Sequence, residues 1–312
     1  MTHKEKYKLH CSNNEDIPIF LTYDWIDAVS KNGEWDVVIK EAGDSIQGFI
    51  VYYHKTKLGQ KYITMPHFTP YSGLWINYPE GQKNTTRISF ERKVMEELIL
   101  QLPKVDFCVL HLYPSITNWQ PFYWNEYKQT SRYTYIIDRN KKEEDAYNNL
   151  RDNIRREIKK AEKSITIDVI QDISILKELK DVSITKTEKP LSYYIDHLIS
   201  FYDKFSSNFE IIVAKKEDKI IAASIFIKDK SSTYYLLGMT LTDHKTSGAL
   251  SLLLWTAIKK SINSNRDFNF EGSMIKPIER FFSSFGAEQI PYHRITKSNS
   301  LTAKTKELIK GL

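Results

Sequence analysis

Cysteine is nearly missing from this chain: Cys11 and Cys108 are the only two among 312 residues. Thiols so far apart make neither a disulfide framework nor a metal-ligand spacing, which excludes a stapled secreted scaffold and points to a reducing compartment. Long apolar runs are missing too. The opening residues, MTHKEKYKLHCSNNED, carry charge without the apolar centre of a signal peptide. No stretch approaches the roughly 18 apolar residues of a membrane span, so the expected location is the cytoplasm. The histidines form no HExxH or other close ligand pair, and no metal is expected. Also absent are the G-x-S-x-G elbow of hydrolases, the P-loop and the glycine fingerprint of dinucleotide-binding folds. Low-complexity stretches and short-period repeats are lacking as well.

What is present is a globular composition. With 312 residues, and a prior of roughly 150 residues per domain, two domains are expected. A content of 41% hydrophobic and 27% charged residues suits a soluble protein, and the 13% of aromatic residues is high enough to line clefts as well as cores. The net charge of +6, from 45 basic and 39 acidic residues, leans toward anionic partners such as phosphates, nucleotides, tRNA or an acidic membrane surface. Those charges are spread along the chain, so a solvated, slightly cationic surface explains them equally. DNA is not among the expected partners.

Periodicity predicts a helix over 23–31, strands over 35–40 and 45–53, and extended segments through 62–76. A helix over 87–102 and strands over 105–112 and 133–137 follow. The charged run Arg139-Asn-Lys-Lys-Glu-Glu-Asp145 marks a junction, and one long helix is expected over 145–163. Beyond it come a strand over 165–170, helical segments over 173–179 and 191–205, and strands over 209–215, 220–228 and 233–239. A helix over 248–262, a strand over 267–270, a short helix over 277–282 and a strand over 289–296 complete the chain. The fold class is therefore α/β (α+β) in two domains, 1–140 and 141–312. Each has a mixed, mostly antiparallel sheet flanked by helices.

Chemistry concentrates at Phe268-Asn-Phe-Glu-Gly-Ser-Met274, a strand ending on polar residues. Glu271 suits a general base that takes a proton from an acceptor amine; it also suits a helix cap or a partner of Arg280. Ser273 suits a hydrogen-bond donor to the acceptor or leaving group, or plain turn chemistry. Lys245, Ser247 and Gly248 lie where a strand gives way to a helix, so backbone N–H groups and the positive end of a helix dipole face outward there. On the junction helix, Arg151 and Arg155 flank an apolar stripe of Tyr147, Leu150, Ile154, Ile158 and Ala161, as a phosphate clamp or as part of a basic face. Tyr71, Trp75, Trp119, Phe122, Tyr123 and Trp124 suit an acceptor wall or loop packing.

Taken together, Pro66-His-Phe-Thr-Pro-Tyr-Ser-Gly73, LRDNIRREIKKAEK (150–163), SGALSLLLWTAI, FNFEGSM and FFSSFGAE resemble the Fem-like branch of the GNAT acyltransferases in its two-domain, arm-less form. That resemblance implies two tandem GNAT-like domains. It also implies transfer of an acyl group, acetyl from a coenzyme A thioester or aminoacyl from tRNA, onto an amine of a cell-envelope sugar or peptide precursor. The acceptor is a small or nucleotide-linked molecule, attacking directly without a covalent enzyme intermediate. With the residue readings above, Glu271 and Ser273 are expected to be catalytic, and Arg151, Arg155, Tyr71, Trp124 and Arg280 to bind substrate. Lys245, Ser247 and Gly248 hold the donor's pyrophosphate, although Leu250 stands where the family pattern has Gly or Ala. Phe282 stands where Fem-type ligases carry a Lys, and the interval 165–209 has no room for their helical arm. Two further readings remain: a tRNA-dependent aminoacyl transferase, and a non-catalytic binding module on the same scaffold.

Overall fold

The computed structural model describes residues 1–30, 33–179, 182–185 and 191–300. In chain order its elements are α1 (His3–Ser12), α2 (Tyr23–Val29), β1 (Glu34–Ala42), β2 (Ser45–Lys57), β3 (Gln60–Thr64), β4 (Gly73–Ile76), α3 (Asn84–Gln101), β5 (Phe107–His111), α4 (Gln120–Trp124) and β6 (Lys128–Ile137). There follow α5 (Glu143–Asn148), α6 (Asp152–Ala161), β7 (Thr166–Ile170), β8 (Val182–Thr185), α7 (Leu191–Tyr202), β9 (Phe209–Lys216), β10 (Lys219–Lys228) and β11 (Ser232–Leu241). Last come α8 (Ala249–Asn263), β12 (Asp267–Asn269), α9 (Lys276–Ser283) and β13 (Glu288–Ser298), with short 3-10 helices between some of these.

Two compact units result: Met1–Arg132 with the residues from Pro291 onward, and the contiguous stretch Tyr133–Ile290. The divisions fall inside β6 and β13, whereas the sequence expectation set one boundary between residues 140 and 141. The reason is that β13 pairs antiparallel with β5, Arg294 opposite His111, and so completes the first unit's sheet.

In the first unit the strand order is β1-β2-β3-β5-β13, with β4 also on β2. Alternation along β2 sends Ile50 and Phe49 to opposite faces. Ile50 joins Leu74, Ile76 and Leu110 under the buried stripe Val94, Met95, Leu98 and Ile99 of α3. Each such fully buried aliphatic side chain contributes about 1.5–3 kcal/mol. Phe49 meets Tyr7 of α1, with ring centroids 4.8 Å apart. The first helix was not expected, yet its signal was present: Thr2 accepts the Glu5 N–H at 3.3 Å while Glu5 accepts the Thr2 N–H at 2.7 Å, a reciprocal capping box.

In the second unit the order is β6-β12-β11-β10-β9-β7, with β8 also on β11. Every residue of β11 from Ser232 to Thr240 is buried, the mark of a strand covered on both faces. One cover is α8, whose Leu252, Leu253, Leu254, Trp255 and Ile258 are buried nearly all round, packed with Ile154 and Ile158 of α6. The single long helix expected over 145–163 is two helices. Arg151 breaks it with extended backbone (ψ 150°) as the N-cap of α6, and its N–H donates to the Ser284 carbonyl at 2.9 Å. No described helix is long and apolar enough to cross a membrane.

Candidate active site at the parting of two parallel strands

Strands β11 and β12 run parallel and pair only from Ser232–Asp267 to Tyr234–Asn269. Beyond that point they part. The Phe270 N–H turns to the carbonyl of Tyr135 on β6, at 2.9 Å. On its other side, β11 slips register between Ile225 and Phe226 of β10, leaving Leu236 as the extra residue of a bulge. The edge of β11 that β12 leaves is then taken by β8, from Gly238–Thr185 to Leu241–Val182. Clefts outside the carboxyl ends of diverging parallel strands are the usual ligand positions of such sheets. Glu271 lies two residues beyond the end of β12.

The local sequence fixes the Glu271 backbone. Phe268 and Phe270 alternate inward and meet edge to face at 4.8 Å, and Phe270 also packs on Phe282 of α9 and on Phe285 just after it, at 5.0 and 5.4 Å, which anchors the strand end. Asn269 points the other way and is 3% exposed. Its side-chain oxygen accepts the Thr134 hydroxyl and the Glu271 N–H, each at 2.7 Å. Glu271 itself takes the left-handed region (φ 59°), as does Gly272 (φ 64°). Gly272 is obligatory on two counts, because a β-carbon there would also sit 1.8 Å from the Tyr133 carbonyl oxygen. A non-glycine residue held at positive φ is a strained position of the kind found where geometry serves a function.

Around this turn the other expected residues fall into place differently. Ser273 accepts the Ile275 N–H at 3.0 Å, the turn role that leads into α9. Arg280 is exposed on α9, where its carbonyl accepts the Ser284 hydroxyl at 2.6 Å. Phe282 is fully buried beside Phe270, so that position faces the core. A feature not flagged by the sequence lies on the same strand as Thr134. The Tyr135 hydroxyl donates to Glu279 of α9 at 2.8 Å and receives the Gln289 amide at 2.5 Å; burial first, then the bond to Glu279, raise it above the ordinary phenol range.

Lys245, Ser247 and Gly248 lead into α8 as expected. Gly248 is left-handed (φ 81°) at the N-cap, and a β-carbon on it would lie 2.4 Å from the Glu157 carbonyl oxygen. The Ser247 hydroxyl accepts the Ala249 N–H at 3.2 Å, and the Ser251 hydroxyl donates to the Glu157 carboxylate at 2.6 Å. Lys160 donates to the Thr246 carbonyl at 3.1 Å. Of the arginine pair, Arg151 is exposed, and Arg155 is turned onto the Asn148 carbonyl and the Asp152 carboxylate at the start of α6. Tyr71 and Trp124 belong to the first unit. Tyr71 is buried between the rings of Tyr113 and Tyr292, at 4.8 and 5.2 Å, whereas Trp124 is half exposed. No group of three or more potential metal ligands occurs among the described residues.

Comparison of the whole chain with solved structures identifies the architecture. FemX superposes with a TM-score of 0.64 at 11% identity, covering 94% of this chain and 96% of that one. The fold is that of the Fem-like GNAT proteins. A tandem GNAT protein from the clavulanic acid biosynthesis pathway, solved without AcCoA, shares the Fem-like GNAT fold at a TM-score of 0.54 and 8% identity, over 94% and 93% of the two chains. The C-terminal domain of a protein described as a lysylphosphatidylglycerol synthetase, from Agrobacterium fabrum, does so at 0.56 and 11%, over 97% and 93%. No protein-family model and no curated protein sequence matches the chain. The likeness is therefore one of shape, and the chemistry has to be argued from the site.

Proposed function

We propose that the chain is an N-acyltransferase that moves an acetyl or aminoacyl group onto an amine of a cell-envelope sugar or peptide precursor in the cytoplasm. The observation that carries this reading is the placement of Glu271, a carboxylate set by a strained turn at the parting of β11 and β12. There it takes the proton of the acceptor ammonium, directly or through one water, so that the neutral amine attacks the acyl carbonyl; a general base of this kind contributes about 10²–10⁴-fold. Asn269 and Gly272 are positioning residues, since they hold the turn. Arg280, exposed on the following helix, is an electrostatic partner for the developing oxyanion in this reading.

A second reading, transfer of an aminoacyl group from tRNA, is favoured by the exposed cations on and just after α6, Arg156, Lys159 and Lys163. Salt-dependent binding of aminoacyl-tRNA distinguishes it. The test of the main reading is mass-spectrometric detection of acyl transfer to amino-sugar nucleotides and peptide precursors by the wild type and by Glu271→Gln. Transfer that survives unchanged in Glu271→Gln removes Glu271 from the chemistry. Saturable acceptor binding without turnover of any acyl donor assigns the scaffold to binding alone.

A further inference from the structure

A diphosphate seated on a helix N-terminus needs open first-turn N–H groups, a close approach to the backbone and net positive potential. At α8 the chain itself occupies part of that seat. The Ala249 N–H is engaged by Ser247. The approach over Gly248 is filled by the α6 backbone, because the Glu157 carbonyl oxygen stands where even a methyl group would collide. The potential is met by an internal anion, the Glu157 carboxylate bound to Ser251 in the first turn of α8. Lys160, a cation at the same loop, is bound to the Thr246 carbonyl. Leu250 lies over Gly238, its side chain 3.1 Å from where a β-carbon there would be, and β8 covers the neighbouring edge of β11.

We infer that the N-terminus of α8 is closed by α6, with Glu157 as its resident anion, and that coenzyme A has no diphosphate seat there. The closure is carried by backbone contact as well as by charge, so a side-chain rotation does not open it. Its consequence for the donor rests on the transferase reading: the acyl group arrives on a carrier that is not gripped at this turn.

Hydrogen–deuterium exchange on the full chain, with and without a large excess of coenzyme A, reads the closure directly. The expected result is unchanged exchange across Lys245–Leu253, with any protection confined to other segments. Protection of Lys245–Leu253 that 3′,5′-ADP abolishes overturns the inference. Glu157→Ala is expected to speed amide exchange in the first turn of α8 at least severalfold, and Glu157→Gln, which keeps the shape, reads the charge alone should the alanine variant not fold. Unchanged exchange in whichever variant folds removes Glu157 as the resident anion. Acyl transfer from acetyl coenzyme A with protection at α8 sinks the inference and leaves the transferase reading intact. Loss of all transfer does the reverse.

Discussion

Asn269 holds Glu271 by its backbone: the amide oxygen of one accepts the N–H of the other at 2.7 Å, two residues along the chain. Because the same oxygen also accepts the buried Thr134 hydroxyl, Asn269→Ala strands two donors at once. It is expected to lower stability by about 1–3 kcal/mol. Acyl transfer should fall further than the folded fraction does, since the turn loses its register. Urea denaturation with turnover measured on the folded fraction separates the two effects, and activity that merely tracks folding argues against positioning.

Gly272 leaves no room for a side chain. Gly272→Ala places a β-carbon against the Tyr133 carbonyl oxygen, 1.8 Å away, at a φ of 64°. A loss of about 2–4 kcal/mol is expected from the clash and the left-handed backbone together. A melting temperature within error of wild type shows that the turn is free to move.

Phe282, where the sequence resemblance sets a lysine of the Fem-type ligases, has its ring fully buried against Phe270 and Tyr235. Phe282→Lys is accordingly expected to cost about 3 kcal/mol or more, through lost packing and a buried charge, and to create no new activity. A stable, more active variant contradicts this assignment.

His111 gives the fold a pH dependence. Removal from water, then the Arg132 guanidinium, pull its pKa down to about 3, despite a contact with the Pro70 carbonyl and with Arg294 adding in the same direction. The folded imidazole stays neutral where an unfolded one, with its ordinary pKa of about 6.5, takes up a proton. The unfolded state therefore binds more protons below that value, and stability is full above it and falls as pH drops toward 3. The slope from this one group approaches about 1.4 kcal/mol per pH unit. Chemical denaturation at pH 7 and pH 5 should show the loss in wild type, with a shallower slope in His111→Gln.

Both thiols are expected to react slowly in the native state. Burial pushes Cys11 up to about 11 and Cys108 up to about 12, so neither offers much thiolate near neutrality. Native protein should react slowly with Ellman's reagent at pH 8, and both thiols should react once urea unfolds the chain. Rapid reaction of one thiol in buffer identifies an opening at that place.

Much of this fold is legible as period and punctuation. The α8 run, apolar nearly all round, and the β9–β11 strands announce themselves because burial on every side leaves little to polar residues. The α5–α6 break is hidden, because the stripe Leu150, Ile154 and Ile158 continues across it while the cause, the Ser284 carbonyl, lies far along the chain. The short β8 strand has no periodicity to show. At the site, Glu271 and Gly272 are legible as types, but the strain that fixes them depends on the Tyr133 carbonyl. Tyr71 illustrates the limit from the other side: an aromatic residue reads the same in a binding wall as between Tyr113 and Tyr292.

The return of β13 to β5 also sets an order in time. During synthesis the first unit emerges early but waits for Arg294 to reach His111 before its sheet is whole. The second unit, contiguous from Tyr133 to Ile290, is complete in sequence before that strand exists. Chains that fold as they are made gain native contacts in order of emergence. The unit that holds the earlier residues is thus the one finished last.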